Sequence, residues 1–513
     1  MNLLKQILHL VGSFTSNLVK TVVRFFCMDS RAPAVMLVSV MITLLAACGG
    51  GGGSSSVGDS GTGSDAGGGA GGDTGGDTGG NPTDGSDTAA CGVEAQKTFV
   101  KRVADDWYLW YDEMAVVDPV EFDDAQAFLN ALTAPLSADK RDPGFSYLTT
   151  KQADAAALGS GAYIGFGFRY GFDTANRMRF ADVFEGGPAS DADIERSDIV
   201  VAIDTGNGFE TTEQLAARNA TNEELFGPPE LGVERAFRIQ QGSDIREVTL
   251  VKRELVTPAL AGQPTLIERD GLSPVGYVHM RAFINSAQEP LTEMAQTFAN
   301  AGVTDVIIDF RYNGGGLLSV AEQMLNVLGG ETAAGQESFR ISHNDKRSDE
   351  NVSAFFAKTD ASFKPLRIAF IVTGATASAS ELVINSIAPL VDVVMVGSDT
   401  LGKAVGQYAF DQSGCDTRLR LVSFEIVNGE GLGGYYTGLT DTGRFTLCAA
   451  QDDLTQPFTD TRENSLSVAL GWFNSSSCSS AASKLSADLP TQWSDWEVTR
   501  QADRPFGRSP WVQ

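Results

Sequence analysis

A serine at a predicted strand-to-helix junction is the first side chain of this sequence that could carry out covalent chemistry. An apolar strand ends near Val372, a turn of small residues follows, and a helix is expected to begin at Ser378. The free N–H groups at a helix start can stabilise the oxyanion that forms in acyl transfer. The spacing of Ser378 and Glu381 is equally that of a capping box, in which the serine only completes the helix N-terminus. This segment alone leaves both interpretations open.

A lysine follows the next apolar strand. Val393–Val396 has the pattern of a buried strand, and Lys403 lies in the glycine-flanked loop after it. A lysine with its ordinary pKa of about 10.4 is a poor base at neutral pH. Burial can lower that pKa by several units, after which the amine can accept a proton from a serine hydroxyl. Gln407 could orient the amine by a hydrogen bond, and a solvated surface lysine is the alternative.

A glycine-rich loop follows a third apolar strand. The strand Asp305–Phe310 leads into Gly314, Gly315 and Gly316, and a helix is expected from Leu317 to Leu328. Backbone N–H groups in such a loop can bind an oxyanion. No Gly-Lys-Ser/Thr follows, which argues against a nucleotide phosphate as the ligand. A tight turn without a chemical role is the other interpretation.

Together the three segments resemble the S41 family of carboxyl-terminal processing (tail-specific) peptidases. The run Asp309-Phe-Arg-Tyr-Asn-Gly-Gly-Gly316 is similar to the family's D-L-R-x-N-x-G-G loop. Ala377-Ser-Ala-Ser-Glu381 is similar to its nucleophile segment, and Gly402-Lys-x-x-Gly-Gln407 to its lysine loop. The family places its lysine and glutamine at a fixed spacing after the serine. That spacing selects Ser378 rather than Ser380 as the nucleophile.

The resemblance implies a role for each of these residues. Ser378 would be the nucleophile, Lys403 the general base, and Gln407 would orient the lysine. The oxyanion hole would consist of the backbone N–H groups of Gly314, Gly315 and Ala379. The implied fold is an α/β catalytic core of the ClpP/crotonase type with layered β and α structure, joined to an inserted or preceding PDZ-like β domain and an N-terminal helical segment. No metal or organic cofactor is implied.

The middle of the chain resembles a PDZ domain, which family members carry before the catalytic core. The run Tyr163–Phe168 is similar to a carboxylate-binding loop, which assigns peptide binding to Ile164, Gly165 and Phe166. The segment 183–204 resembles the glycine-proline turn and the following strand of such domains. PDZ domains bind a chain terminus by strand addition, so the resemblance implies protein or peptide substrates recognised at C-terminal segments.

Composition and pattern divide the chain into six regions. They are a lipoprotein signal peptide (1–48), a Gly/Ser/Asp-rich flexible linker (49–92), an N-terminal helical region (93–158), a PDZ-like domain (159–258), the S41 core (259–480) and a C-terminal tail (481–513). In the core, predicted strands alternate with helices, which is the pattern of an α/β fold. The predicted core strands are 275–280, 305–310, 367–372, 393–396 and 419–427.

An apolar run near the N-terminus is typical of a bacterial lipoprotein signal. Ala32–Ala47 is short for a membrane span and suits the apolar region of a signal peptide. The following Cys48 completes a run that resembles a lipobox, whose cysteine is lipidated. A plain secretory signal or an uncleaved anchor is the alternative, and translation could start at Met1 or Met28. The resemblance implies a lipid anchor in the cell envelope on the periplasmic side, and Gly49 favours the outer membrane.

Composition narrows the class of partner. The 513 residues carry a net charge of −27, which argues against nucleic acid because phosphate contacts need patches of Lys and Arg. The three histidines make a histidine-based metal site improbable. The sequence does not indicate an oligomeric state.

Four cysteines remain when Cys27 and Cys48 are set aside. An even set in an exported protein indicates disulfides, and four cysteines allow three pairings. We favour Cys415 with Cys448 and Cys91 with Cys478.

The sequence therefore predicts a serine endopeptidase with a Ser/Lys dyad that cleaves exported proteins near their C-termini. The alternative is a catalytically inactive lipoprotein of the same fold that binds peptides or other ligands.

Overall fold

The computed structural model of the protein describes residues 90–156 and 161–478. The predicted signal peptide, Cys48, nearly all of the predicted linker and the predicted C-terminal tail lie outside the described residues. In the described ranges, no helix has both the length and the apolar character that crossing a membrane requires.

Nineteen strands and ten α-helices occur in these two ranges. The strands are β1 (Tyr147–Thr150), β2 (Ala162–Gly165), β3 (Phe168–Phe172), β4 (Met178–Val183), β5 (Ile199–Asp204), β6 (Phe209–Thr211), β7 (Glu234–Gln241), β8 (Asp244–Val251), β9 (Arg253–Val256), β10 (Thr265–Arg269), β11 (Leu272–His279), β12 (Asp305–Asp309), β13 (Glu337–His343), β14 (Val352–Phe355), β15 (Arg367–Val372), β16 (Asp392–Gly397), β17 (Val405–Asp411), β18 (Thr417–Asn428) and β19 (Leu447–Ala449). The helices are α1 (Val93–Trp107), α2 (Ala125–Ala138), α3 (Lys151–Ala155), α4 (Pro188–Asp191), α5 (Thr212–Ala217), α6 (Asn222–Phe226), α7 (Gln288–Asn300), α8 (Leu318–Ala333), α9 (Ala379–Ile387) and α10 (Asn464–Ser475).

The sheet that carries the predicted chemistry has six strands in the order β10-β11-β12-β15-β16-β19. Its pairs from β11 to β19 are parallel, and only β10 is antiparallel to its neighbour. Alternate side chains of β12 enter two cores: Val306 and Ile308 pack with α7, α8 and α9, whereas Ile307 packs with α10. Burial on both faces explains why these strands are continuous apolar runs, and the predicted α/β core is confirmed.

The three predicted motif loops all follow the carboxyl ends of neighbouring strands in this sheet. The glycine loop follows β12, the serine turn follows β15, and the lysine loop follows β16. Parallel strands present their carboxyl ends at one edge, which is where α/β sheets hold their sites. The topology therefore brings together segments that are far apart in the sequence.

A second, antiparallel sheet lies beside the edge of the central sheet at which these loops meet. Its order is β1-β18-β13-β14, with β17 also paired to β18. Helices α1 and α2 pack their apolar faces on β17 and β18 through residues such as Phe99, Leu129 and Leu421. The predicted strand 419–427 is part of the longer β18, and Gln407 lies on β17.

The middle of the chain forms a separate antiparallel sheet, β3-β4-β5-β7-β8 with β6 on β5, and a two-stranded pair of β2 and β9. The run Tyr163–Phe168 is divided between two strands, because the chain breaks between β2 and β3. At the break Gly167 has φ +83°, and a Cβ there would lie 3.0 Å from the Gly187 Cα. Glycine allows both this backbone angle and this close approach.

The structure has two disulfides within the described residues, and they pair the four cysteines differently from the pairing favoured from the sequence. The bonds are Cys91–Cys415 and Cys448–Cys478. The predicted pairing of Cys415 with Cys448 is wrong because these residues belong to different sheets: Cys415 lies in the turn between β17 and β18, whereas Cys448 lies on β19.

Buried ion pairs connect the middle region to the central sheet. Arg281, just after β11, donates to both carboxylate oxygens of Asp182 on β4, at 2.9 Å and 2.8 Å. Arg169 on β3 donates to the same carboxylate at 3.2 Å. Arg196 reaches Asp452 at 2.6 Å and stacks on the ring of Phe458. All three arginines are buried, so the contact between the two regions depends on matched charges.

Candidate active site

Ser378 lies in a strained turn between β15 and α9. Its backbone has φ +56° and ψ −114°, an angle combination that costs a residue with a Cβ on the order of 1–3 kcal/mol. The turn is held by Thr376, whose hydroxyl donates to the Phe310 carbonyl at 2.9 Å and accepts from the Thr373 N–H at 3.0 Å. The strain is thus maintained by bonds to the neighbouring β12 loop. Such strain is concentrated at functional positions.

Ser380, the other serine of this segment, has a structural role. Its side chain is fully buried, and its hydroxyl donates to the Asn313 carbonyl at 3.1 Å. Ser378 is only half-buried. Ser378 is therefore the more accessible of the two serines, and its role as the nucleophile stays a prediction.

Glu381 joins the serine turn to the lysine loop. Its fully buried carboxylate accepts the Ser378 N–H at 2.8 Å, the Gly402 N–H at 2.8 Å and the Lys403 N–H at 2.9 Å. Burial raises the pKa of Glu381 to about 7, although these hydrogen bonds oppose the rise. The capping-box spacing indicated the bond to Ser378, but no sequence pattern indicated the bonds to residues 402 and 403.

Lys403 has the properties that the predicted base needs. Its amine donates to the Gln407 Oε1 at 2.8 Å, which confirms the predicted contact between these two side chains. Burial lowers the pKa of Lys403 to about 8, against the opposing charges of Asp142 and Glu381. An amine with this pKa is partly unprotonated near neutral pH and can accept a proton.

The glycine loop packs directly against the serine turn. A Cβ on Gly315 would lie 2.8 Å from the Ser378 Cβ and 2.9 Å from the Ala379 N, so only glycine fits at this position. The Gly315 N–H donates to Asn313 Oδ1 at 2.9 Å. In this conformation Asn313 therefore accepts the Gly315 N–H, and the role of Gly315 as an oxyanion donor stays a prediction. Among the described residues, no protein acceptor binds the N–H groups of Gly314 and Ala379.

Two residues of the N-terminal region also reach this site. The Phe145 carbonyl accepts a hydrogen bond from Gln407 Nε2, and its ring centroid lies 4.9 Å from the Lys403 amine. Asp142 is buried nearby. The sequence analysis did not identify either residue. They are separated from Lys403 by most of the chain, and no local pattern marks them.

The residues predicted to bind a peptide terminus lie apart from these side chains. Ile164 and Gly165 belong to β2 and pair with Glu254 and Arg253 of β9. The Phe166 side chain is fully buried in the core of the middle region, and its carbonyl accepts the Ala189 N–H at 2.9 Å. Among the described strands, β3 pairs with β4 alone and is an edge of its sheet.

Two family models match segments of the chain. Residues 274–433 match peptidase family S41, and residues 95–147 match the peptidase S41 N-terminal domain. The first segment contains the serine turn, the lysine loop and the glycine loop. The second contains Asp142 and Phe145.

Two named relatives and one solved structure are also similar to this chain. The chloroplastic carboxyl-terminal-processing peptidase 2 of Arabidopsis thaliana is 27% identical over 265 residues, which cover 49% of this chain and 48% of that protein. A protein of Staphylococcus aureus named "Probable CtpA-like serine protease" is 25% identical over 270 residues, or 52% of this chain and 50% of the relative. The chain therefore spans about half the length of the curated relatives it matches. A crystal structure from Bacteroides fragilis with an S41 protease assignment has a TM-score of 0.59 and 24% identity, and covers 74% of this chain and 97% of that one. This last likeness shows the fold.

Proposed function

We propose that this chain, whose residues 274–433 match peptidase family S41, is a serine endopeptidase with Ser378 and Lys403 as its catalytic dyad. The observation that carries the proposal is the Glu381 carboxylate, which accepts the backbone N–H groups of both residues. It holds a strained serine beside a lysine whose pKa burial has lowered to about 8. This is the combination that activates a hydroxyl without a histidine.

Acylation begins at the Ser378 hydroxyl. The neutral Lys403 amine takes the hydroxyl proton as the Ser378 Oγ attacks the carbonyl carbon of the scissile peptide bond. The carbonyl oxygen becomes an oxyanion, and the N–H groups of Gly314 and Ala379 are the donors available to it. Lys403, now an ammonium, returns the proton to the leaving amine, and the C–N bond breaks.

Deacylation reuses the same groups. Water replaces the departed amine product, Lys403 removes one of its protons, and the resulting nucleophile attacks the acyl ester of Ser378. When the intermediate collapses, Lys403 returns the proton to the Ser378 Oγ and the carboxylate product is released. Gln407 Oε1 binds one hydrogen of the amine throughout, which keeps the lone pair directed away from Gln407.

The proposed substrates are exported proteins cleaved near their C-termini. The name of the Arabidopsis thaliana relative, a carboxyl-terminal-processing peptidase, supports this choice. We assign a PDZ-like role to the middle region, with Ile164, Gly165 and Phe166 near the bound terminus. The edge position of β3 supports it, because an extended peptide can add to an unpaired strand edge.

The proposed location is the cell envelope, on the periplasmic side, with a lipid on Cys48 and a preference for the outer membrane. The lipobox-like run before Cys48 supports the anchor. Two disulfides within the described residues fit an oxidising compartment.

The dyad is tested by incubating the purified protein with an unstructured protein of known C-terminus and locating the cuts by mass spectrometry. We expect cleavage by the wild type, and a loss of about 10²-fold or more with Ser378→Ala and with Lys403→Ala. Lys358→Ala is the matched control, because Lys358 is exposed and pairs only with Glu331 among the described residues.

Equal cleavage by all variants would disprove the dyad. Binding of the substrate without cleavage by the wild type would favour the alternative of an inactive binding protein. Cuts far from the C-terminus would leave the dyad in place and contradict the proposed substrate preference.

A further inference from the structure

The turn between α2 and β1 lies directly against the lysine side of the site. This turn, residues 141–146, belongs to the segment that matches the S41 N-terminal domain and not to the segment with the serine and lysine motifs. Within it, Phe145 contacts both Lys403 and Gln407: its ring centroid lies 4.9 Å from the amine, and its carbonyl accepts from the Gln407 amide. A second region of the chain thus contributes to the surroundings of the base.

The Phe145 carbonyl determines which way the Gln407 amide points. A carbonyl oxygen can only accept, so it requires the NH₂ end of the amide. The Oε1 end must then face Lys403, where it accepts one amine hydrogen at 2.8 Å. A reversed amide would direct its N–H groups at the amine and compete for the lone pair that the base reaction needs. The carbonyl of Phe145 therefore excludes the unproductive orientation.

Asp142 holds this turn in place. Its buried carboxylate accepts the Ser146 N–H at 3.0 Å, the Ser146 hydroxyl at 2.6 Å and the Tyr108 hydroxyl at 3.0 Å. The Ser146 Oγ in turn accepts the Val422 N–H of β18 at 3.1 Å. Since β18 pairs with β17, which carries Gln407, Asp142 fixes Phe145 relative to that glutamine.

Three charged groups act on the Lys403 amine. Asp142 and Glu381 favour the ammonium, and Arg420 of β18 opposes it. Arg420 is itself paired with Asp154, at 2.7 Å between its Nε and Oδ1. Burial disfavours the ammonium, whereas the face of the Phe145 ring, with its centroid 4.9 Å from the amine, attracts the ammonium through a cation–π contact. Asp142 therefore acts on the amine through its charge, and Phe145 acts through two effects of opposite sign, the cover against water and the cation–π contact.

We propose that Asp142 and Phe145 are positioning residues of the catalytic dyad: Phe145 orients Gln407 and excludes water from Lys403, and Asp142 fixes Phe145 and supplies the charge that limits how readily Lys403 loses its proton. The proposal rests on the function proposed above. Under this proposal two regions form the active site. The N-terminal region holds the base in place, and the central sheet carries the nucleophile.

The test measures the titration of Lys403 without relying on catalysis. In a Ser378→Ala background, which prevents acylation of the serine, the full-length protein is trace-acetylated over a pH series. The modified fraction of the peptide that carries Lys403 is then quantified by mass spectrometry. Asp142→Asn is expected to move the midpoint down by roughly half a pH unit or more, because a negative charge near the ammonium is lost. Phe145→Ala is expected to move it by less than Asp142→Asn does, because water then reaches the amine while the cation–π contact that favours the ammonium is lost.

Asp139→Asn is the matched control. Asp139 is an exposed carboxylate at the end of α2 that pairs with Arg141, and its loss should leave the midpoint unchanged. If Asp142 and Phe145 only kept the turn folded, either substitution would loosen the turn, admit water to the Lys403 amine and raise the acetylation midpoint. An unchanged or raised midpoint in Asp142→Asn therefore overturns the proposal, including when Phe145→Ala fails to fold.

The same substitutions with Ser378 intact should move the rising limb of kcat/KM against pH as they move the acetylation midpoint. Phe145→Ala should also lower kcat by about 10²-fold as Gln407 loses its fixed orientation. If the acetylation midpoints move as expected but the wild type cleaves nothing, the peptidase function fails and the positioning of Lys403 stands. If the wild type cleaves and the midpoints do not separate, the positioning roles fail and the peptidase stands.

Discussion

The proposed catalytic pair depends on a carboxylate that takes no part in the proposed chemistry. Glu381 accepts N–H groups from the serine turn and from the lysine loop, and so fixes the distance between two segments that approach from different strands. A buried carboxylate with several such bonds costs much free energy if one partner is lost. At this scale the site is a hydrogen-bonded unit rather than two independent side chains.

The pH dependence of cleavage follows from the pKa of Lys403, which burial lowers to about 8. The base is the neutral amine, so its active form is lost as pH falls below that value and is present above it. We expect kcat/KM to rise with pH with a midpoint near 8. Because Glu381 has a pKa of about 7, the measured midpoint belongs to the coupled pair.

Lys403→Arg provides the control for this prediction. A guanidinium stays protonated over the whole range and cannot act as the base. The variant should lose about 10²–10⁴-fold in kcat/KM and show no rise near pH 8. A wild-type profile that is flat from pH 6 to about 10 would contradict the assignment of Lys403 as the base.

At the scale of elements, each disulfide has one cysteine on or next to a strand that lies beside the lysine loop. Cys415 lies at the turn that follows β17, which carries Gln407, and Cys448 lies on β19, the neighbour of β16. The two bonds close loops of different length, with sequence separations of 324 and 30 residues. Loop length decides how much each bond restricts the unfolded chain.

The chain-entropy argument predicts different costs for removing the two bonds. The Cys91→Ser/Cys415→Ser variant should lose about 2 kcal/mol more stability than the Cys448→Ser/Cys478→Ser variant. Denaturant unfolding under oxidising conditions measures both losses. The reverse order would show that local strain or residual structure in the unfolded chain, rather than loop length, determines the effect.

The elements that sequence patterns predicted are those with continuous apolar runs. The strands around Val306, Phe370 and Val394 are buried on both faces, and their ends coincide with the motif loops. The antiparallel sheet was predicted only in part, because β13 and β17 mix exposed and buried positions, β14 is mostly exposed, and all three lack a run of that kind. Phe145 and the disulfide partners could not be predicted, since their positions depend on contacts between distant segments.

At the scale of the whole molecule, buried charges join the middle region to the central sheet. Asp182 is shared by Arg281 and Arg169, and all three side chains are almost completely excluded from solvent. Arg281 also binds Glu185, whose side chain is half exposed. Burying charges costs free energy, so the pairing stabilises this arrangement of the two regions only while it is complete.

Replacing the shared carboxylate should therefore lower the free energy of unfolding more than replacing one arginine. Asp182→Asn leaves the buried Arg169 guanidinium without a carboxylate partner and leaves Arg281 with only the half-exposed Glu185, and we expect a loss of about 3–5 kcal/mol. Arg281→Met leaves Asp182 paired with Arg169 and exposes no new charge in the interior, so its loss should be smaller. Thermal unfolding of both variants measures the difference. Equal or reversed losses would contradict the shared-carboxylate interpretation.

The contact between Phe145 and Gln407 joins residues 262 positions apart in the chain. Contacts of such long range carry a large loop-closure cost, which slows folding. During synthesis the serine turn and the glycine loop leave the ribosome before β17 does. The proposed base acquires its fixed partner only when the N-terminal turn docks on β17 and β18. The newly made chain should thus remain inactive until the N-terminal turn has docked, and after a cut between residues 145 and 407 the Cys91–Cys415 disulfide would still join the two parts that form the lysine site.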